Sequence, residues 1–511
     1  MAAKLLTNTV AAPGFMGLNT QESSVSLESG YATIAENCVI DKFGRIGARK
    51  GWVPKHTTLG ALGSADVKSI GQLITENGTT YTVAAGNNKL FKLVGSTLSE
   101  LTYGGGGTAP GISDSNWQMC SLNNILYLYQ SGQDPLIFDP TVSTTTYRRV
   151  SEKTGYLGTV YQSSCVISAY GRTWSAAPVS NKSLIQFSDL LLGFVLNTGS
   201  SGYLDLTQIW PQGTDEITAL AAHNGFLIVF GKRQILIYNN AQDPAGMSLQ
   251  DAITGVGCIA RDSVVNTGTD VIFLSDTGVR SLMRVIQEKS APMRDLSSNV
   301  RDDLVTAVST ANVLNIKAAY SEKEAFYLMS FGSSSLTYCF DTRTMLQNGA
   351  ARMTTWTLTP TAFCYTKEKE LLMGFAGYIG YHGGYLDDTN TYTMRYFTNY
   401  FDFGAPTVVK ILKKVSTVIV GGEGYTMSLN IGYDFTDNYT YRSFSIPAGV
   451  PSEYNVAEYG IAEFTPSSLN NISVNVGGQG KVVQLGLETV VNTNAISIQK
   501  LDIYVKTGKT A

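Results

Sequence analysis

A turn signal followed by a short strand-like run recurs seven times along this chain, and no other feature restricts its fold so strongly. In Gln72-Leu-Ile-Thr-Glu-Asn-Gly-Thr-Thr-Tyr81, Asn77-Gly78 separates two such runs, because both residues tolerate the positive φ of a tight hairpin. Asn123-Asn124, Tyr170-Gly171, Asn224-Gly225, Thr267-Gly268, Glu322-Lys323 and Lys367-Glu368 stand in the equivalent place before later runs. Anchored on the strand after each turn, the copies fall at residues 81, 126, 173, 227, 271, 326 and 371, with spacings of 45, 47, 54, 44, 55 and 45. A four-stranded propeller blade takes about 40–50 residues. The runs are short, β-branched and aromatic, whereas a helical solenoid of similar period would space its apolar residues roughly 3.6 apart. The reading is an all-β chain with a β-propeller of about seven blades over residues 56–394.

From residue 395 the texture changes to longer alternating runs at 407–420, 425–433, 481–487 and 496–505. They imply an antiparallel β-sandwich over residues 395–511, with period-two alternation turning one face inward. Residues 1–55, rich in Gly and Ser, read as an extended N-terminal arm lying on a neighbouring surface. A single helix is expected around 298–308, where Val300, Leu304 and Val308 share a face behind Ser298 as cap. Charged residues are only 15% of the 511, so Ser, Thr, Asn, Gly and the 28 Tyr must cover the surface, a mixture that suits strands joined by tight turns.

The chemistry that the chain offers is sparse. Its net charge of −3, from 37 Lys and Arg against 40 Asp and Glu, lacks the basic excess of a protein that grips phosphates. Cys38, Cys120, Cys165, Cys258, Cys339 and Cys364 are far apart and mostly in apolar runs, which implies buried free thiols and folding in a reducing cytoplasm. The N-terminal residues have no signal-peptide core, and nowhere do 18 apolar residues run together, so no membrane insertion is expected.

His56, His223 and His382 lie outside any nucleophile-triad context, and no His or Cys pair has zinc-ligand spacing. Asp302-Asp303 and Asp387-Asp388 are adjacent doublets whose side chains diverge, which reads as solvated charge rather than an opposed glycosidase pair. Ser275-Asp276-Thr277-Gly278 reads as a plain hairpin turn. Tyr103-Gly-Gly-Gly-Gly107 lacks the Lys-Ser/Thr of a phosphate loop. No catalytic residue, metal or cofactor is expected. Lys413 and Lys414 are a short basic pair and the candidates for touching DNA.

Gly17-Leu-Asn-Thr-Gln21, Leu27-Glu-Ser-Gly-Tyr-Ala32, Glu36-Asn37 and Phe43-Gly-Arg-Ile-Gly-Ala-Arg-Lys-Gly51 resemble the N-terminal segment of tail proteins from short-tailed bacteriophages (podoviruses). Leu227-Ile-Val-Phe-Gly-Lys-Arg-Gln-Ile-Leu-Ile-Tyr238, Gly257-Cys-Ile-Ala-Arg-Asp-Ser-Val-Val265 and Leu274-Ser-Asp-Thr-Gly-Val279 are similar to the same family. The resemblance implies a tail nozzle or tail-tube (DNA-stabilisation) protein of the virion. Six copies would form a ring beneath the portal and adaptor, with tail fibres or spikes as further partners and double-stranded DNA passing through the lumen without sequence specificity. Gly17, Leu18, Asn19, Thr20, Gln21, Gly44, Arg45, Arg49, Lys50 and Gly51 are then the candidate assembly interface. The alternative reading is a carbohydrate-binding or receptor-binding propeller, a tail depolymerase or lectin-like module, for which the many Tyr and Trp would stack on sugars.

Overall fold

A computed structural model of the chain describes residues 5–112, 116–196, 198–288, 295–332, 336–436, 438–447 and 469–510. Strands make up 52% and helices 7%, so the chain is all-β. All seven turns read from the sequence are hairpin turns in the structure. The physical reason is local: Asn123 and Asn124 take φ of 47° and 66°, and Asn224 and Gly225 take 49° and 85°, the left-handed pair that a two-residue hairpin requires. Tyr170 adopts φ 54°, an unfavourable conformation for a bulky residue, and its hydroxyl donates to the Phe226 carbonyl of the next sheet at 2.8 Å.

Six sheets have the strands of full propeller blades, in residues 67–100, 102–149, 163–205, 217–254, 317–356 and 362–382. A three-stranded sheet, residues 265–281, stands in chain order between the fourth and fifth. Its first strand, Val265–Asn266, touches Ile217–His223 on one side and Lys317–Ser321 on the other. The circle closes where Ala362–Tyr365 meets Val67–Ile74, and the Thr361 hydroxyl donates to the Val67 carbonyl at 2.7 Å. At the turns Lys367 N–H donates to Gln72 Oε1 at 2.9 Å and Gln72 Nε2 to Glu368 at 3.0 Å, so the same seam is also tied by polar bonds.

The N-terminal segment is not an extended arm. Trp52–Pro54 pairs antiparallel with Tyr378–His382 and supplies the outermost strand of the last blade. Gly17–Leu18 and Tyr31–Glu36 pair parallel to each other and to Ala351–Trp356, and Tyr31–Glu36 continues antiparallel into Tyr392–Thr398. Leu5–Ala11 lies antiparallel on Ile496–Thr510. The arm expectation failed because a Gly-rich sequence with short strands reads as having no core of its own; here those strands are cross-links between elements more than 300 residues away.

The C-terminal strands do not stand apart from the propeller either. One blade runs on through the N-terminal strands into Tyr392–Thr398, Val483–Val491, Thr426–Tyr433 and Thr440–Ser445, making a ten-stranded sheet. A second sheet, built on Leu469–Asn475, Val408–Gly421, Ile496–Thr510, Ile46–Ala48 and Cys38–Ile40, covers it. Leu485, Leu487, Leu429 and Ile431 from one sheet share a core with Leu412, Ile419, Leu501 and Ile503 from the other. The alternation expected for these runs is what places such residues on one face.

The expected helix is present as Arg301–Thr310, with Val300 and Leu304 fully buried. Ser298 does not cap it: that residue begins a short 3-10 turn, and its hydroxyl donates to the Asp295 carbonyl. A further helix, Leu282–Glu288, went unread in the sequence.

A chain lacking residues 1–54 should lose the closing blade strand and the bridge to the second sheet together. We expect it to show no cooperative thermal unfolding transition by circular dichroism. A truncated chain that melts like the full one would restore the arm reading.

Candidate assembly interface

Of the ten candidate interface residues, Gly17, Leu18, Asn19, Gly44, Arg49 and Gly51 are buried within their own chain, Arg45 and Lys50 are half-buried, and Thr20 and Gln21 are exposed. A Cβ on Gly17 would stand 2.5 Å from the Met353 carbonyl oxygen, and one on Gly51 1.8 Å from that of Leu386, so both glycines are there for close backbone approach. Asn19 Oδ1 accepts from Gln21 N–H at 3.0 Å and orders the turn that carries the two exposed residues. Asp41 accepts from Phe43 N–H, Arg45 N–H and Arg45 Nε, the last at 2.6 Å, and Gly44 completes that turn at φ 73°. Lys50 pairs with Glu324 at 2.9 Å.

Arg49 is the centre of this region. Its fully buried guanidinium makes a two-pronged pair with Asp387, both bonds 2.7 Å, and Nε donates to Asn37 Oδ1 at 2.9 Å. The Tyr392 ring lies 4.0 Å from the guanidinium carbon, and the Tyr392 hydroxyl donates to the Arg49 carbonyl. Asn37 in turn accepts from Thr357 N–H and donates to the Thr393 carbonyl. The solvated-charge reading of Asp387 is therefore corrected: 338 residues from Arg49 in sequence, it carried no local sign of its partner.

The structure places the DNA candidates elsewhere. Lys413 and Lys414 lie on Val408–Gly421, where a register shift between Leu412 and Lys414 leaves Lys413 exposed and Lys414 half-buried. Lys414 Nζ lies 5.7 Å from the centre of the Tyr504 ring.

Sequence reading missed a second buried cluster, at the propeller axis. Arg261 donates to the Ser164 carbonyl at 2.7 Å and to the Asn116 carbonyl at 3.1 Å, and pairs with Asp262 at 2.8 Å. Lys317 Nζ reaches Asp262 at 2.5 Å and also donates to Asn116 Oδ1. Burial alone would raise the Asp262 pKa, but Arg261 and Lys317 outweigh it and hold the carboxyl far below the usual range. Arg261 and Asp262 stand in the 3-10 turn Arg261–Ser263 ahead of Val265–Asn266, Asn116 lies just before Gln118–Leu122, and Ser164 and Lys317 lie at the starts of Ser163–Ala169 and Lys317–Ser321, so the bonds join sheets that are not neighbours in the ring and cross its axis at that end.

The remaining candidates for chemistry are structural in their surroundings. Burial lifts the thiol of Cys165 to about 11, which keeps it protonated. All six cysteines are free, with Cys120 and Cys364 half-buried and the other four buried. His382 lies between Trp356, stacked at 5.7 Å, and the edge of Phe326, and burial lowers its pKa to about 3. Among the described residues, no group of three or more His, Cys, Asp or Glu is placed to hold a metal ion.

No family model matches the chain, and no curated protein matches it. Solved structures similar to it include the extracellular domain of the one component system BT4673 from B. thetaiotaomicron, at 10% identity and TM-score 0.41 over 81% of this chain and 57% of that one. This chain thus spans little more than half of that protein's domain. The Cps50 (Swd1) β-propeller domain of Myceliophteria thermophila is similar at 11% identity and TM-score 0.40, over 63% of this chain and 98% of that one. The Pan2 WD40 domain of Neurospora crassa follows at 8% and 0.38, over 66% and 94%.

Arg49→Ala should destabilise the fold by about 3 kcal/mol or more in urea unfolding, because it leaves the Asp387 carboxylate without its partner. Arg49→Lys should recover only part of this, since an ammonium cannot reproduce the fork. His382 gives a pH test. Its folded pKa lies below the unfolded value of about 6.5, so the unfolded chain takes up a proton first and stability falls as pH drops from about 6.5 towards 3. His382→Phe should flatten the stability profile across that window, by about 1 kcal/mol per pH unit in its steepest part.

Proposed function

We propose that the chain is a structural subunit of a phage tail, a nozzle or tail-tube ring of six copies below the portal and adaptor. In this reading the sheet at 265–281 counts as a seventh, reduced blade, and the two covering sheets form a C-terminal β-sandwich completed by N-terminal strands. The observation that carries the proposal is where the tail-like segments fall. Phe43–Gly51 contributes Arg49 to one buried ion cluster, and Gly257–Val265 contributes Arg261 and Asp262 to the other. The residues behind the resemblance are thus those that lock the fold, as suits a protein whose task is to be a rigid part.

The axial cluster also bears on the route of DNA. Because Arg261, Asp262 and Lys317 tie the propeller across its axis, in this reading the duplex runs through the lumen between copies and not through a propeller. A near-neutral wall suits that role, because a strongly basic one would hold DNA through many phosphate contacts. Thr20 and Gln21, exposed at the tip of their turn, remain candidates for contact with the adaptor.

Electron microscopy of the purified chain should show six-fold rings with a central hole. In a salt-titrated assay the rings should bind duplex DNA with a Kd no tighter than about 10⁻⁴ M at physiological salt, the weak end of nonspecific binding. Submicromolar binding would overturn the passive lumen, and monomers that bind glycans would replace the ring by the carbohydrate-binding alternative.

A further inference from the structure

Leu5–Ala11 pairs with Ile496–Thr510 and, among the described residues, with no other strand. Ala12 N–H donates to the Gln499 carbonyl at 2.9 Å, which sets the parity of the ladder. Leu6, Asn8 and Val10 therefore turn their backbone groups toward Val505, Ile503 and Leu501, and Leu5, Thr7 and Thr9 turn theirs outward. The Ala11 carbonyl, which accepts from Gly14 N–H at 2.7 Å, follows the same parity.

Leu6, Thr7 and Asn8 of this strand line a cavity of about 350 Å³ together with Asn399, Asp402 and Phe403. Asn399 is 3% exposed; its Nδ2 donates to the Leu27 carbonyl at 2.8 Å, and its Oδ1 has no hydrogen-bond partner among the described residues. The cavity lining has one carboxylate, Asp402, and no cation. The strand itself has no charge and no proline, the usual guards of an open edge.

A second edge has the complementary character. Thr440–Ser445 pairs, among the described residues, with Thr426–Tyr433 alone. Ile446 N–H donates to the Tyr425 carbonyl at 2.8 Å, so by the same parity Tyr441, Ser443 and Ser445 turn their backbone groups outward. Tyr441 is 61% exposed, and Arg442 is an exposed cation whose guanidinium donates to the outward Tyr441 carbonyl at 3.1 Å. The two edges lie on opposite sides of the two-sheet unit. Leu5–Ala11 is on the side of Cys38–Ile40, which packs on Ala351–Trp356 and Tyr392–Thr398, whereas Thr440–Ser445 ends the far side of the ten-stranded sheet.

We propose that the edge Thr440–Ser445 of one copy adds to the edge Leu5–Ala11 of the next, setting Arg442 toward Asp402. The contact is heterologous, so repeating it from copy to copy generates a ring or filament. The inference rests on the ring reading above and names its contact surface.

The test is mass photometry of the full chain over a concentration series, with Thr7→Pro, Ser443→Pro and Arg442→Asp. Each proline removes an outward N–H and no ladder bond, a substitution that edge strands tolerate; unchanged circular dichroism and melting show that each variant is folded. Each of the three should raise the concentration for half-assembly about tenfold or more, as loss of a hydrogen bond or charge pair at the contact would. Arg442→Lys should retain most of the assembly. Rings from folded variants at the wild-type concentration would overturn this contact and leave the ring reading standing. A wild-type chain that stays monomeric, or assembles only through a strand of another virion protein, would overturn the self-pairing.

Discussion

The pairing of buried Arg49 with half-buried Asp387 joins segments 338 residues apart. A guanidinium removed from water is tolerated only where its donors are satisfied, and here Asp387, Asn37 and the Lys50 carbonyl take them while Tyr392 covers one face. That requirement brings together residues 37, 49, 387 and 392. The chain between them must then lie as Trp52–Pro54 on the last blade and as Tyr31–Glu36 beside Tyr392–Thr398. Net stabilisation from a buried pair is modest, but the cost of leaving one partner alone is large, so the pair specifies an arrangement more than it supplies energy.

Threading the N-terminal strands through the finished sheets has a kinetic side. Pairings such as Leu5 with Lys506 and Trp52 with His382 join residues more than 300 apart, and the entropy of closing such loops is lost before the contacts form. Local hairpins of the blades need no such closure. The physical expectation is that blades form early and that the ring and the second sheet close late and together, since the same N-terminal segment completes both. One continuous sheet then runs from a propeller blade through the N-terminal strands to Thr440–Ser445.

The axial cluster of Arg261, Asp262, Lys317 and Asn116 does for the propeller what Arg49 does for its rim. Blades touch mainly their neighbours, so a bond across the axis resists the shear that neighbour contacts allow.

Much of the architecture was legible because it is written locally. Asn-Gly and Asn-Asn turns and runs such as Phe226–Gly231 specify hairpins from adjacent residues, and their even spacing implied a propeller. The alternation in Val408–Gly421 and Ile496–Thr510 likewise marked long half-buried strands. Residues 5–54 were misread for the opposite reason. A short strand such as Gly17–Leu18 or Trp52–Pro54 has too few residues to show a period, and its identity as a strand comes wholly from a partner distant in sequence. The ionic partners were equally hidden: Asp387 beside Asp388 looks like solvated charge, and only the closure of the last blade puts Arg49 against it. By itself the sequence determined strands, turns and their repeat, because hairpin geometry depends on neighbouring residues. Which strands close the circle, and which charges lie buried, only the tertiary structure decided, because pairing across 300 residues and removal from water are properties of the assembled sheets.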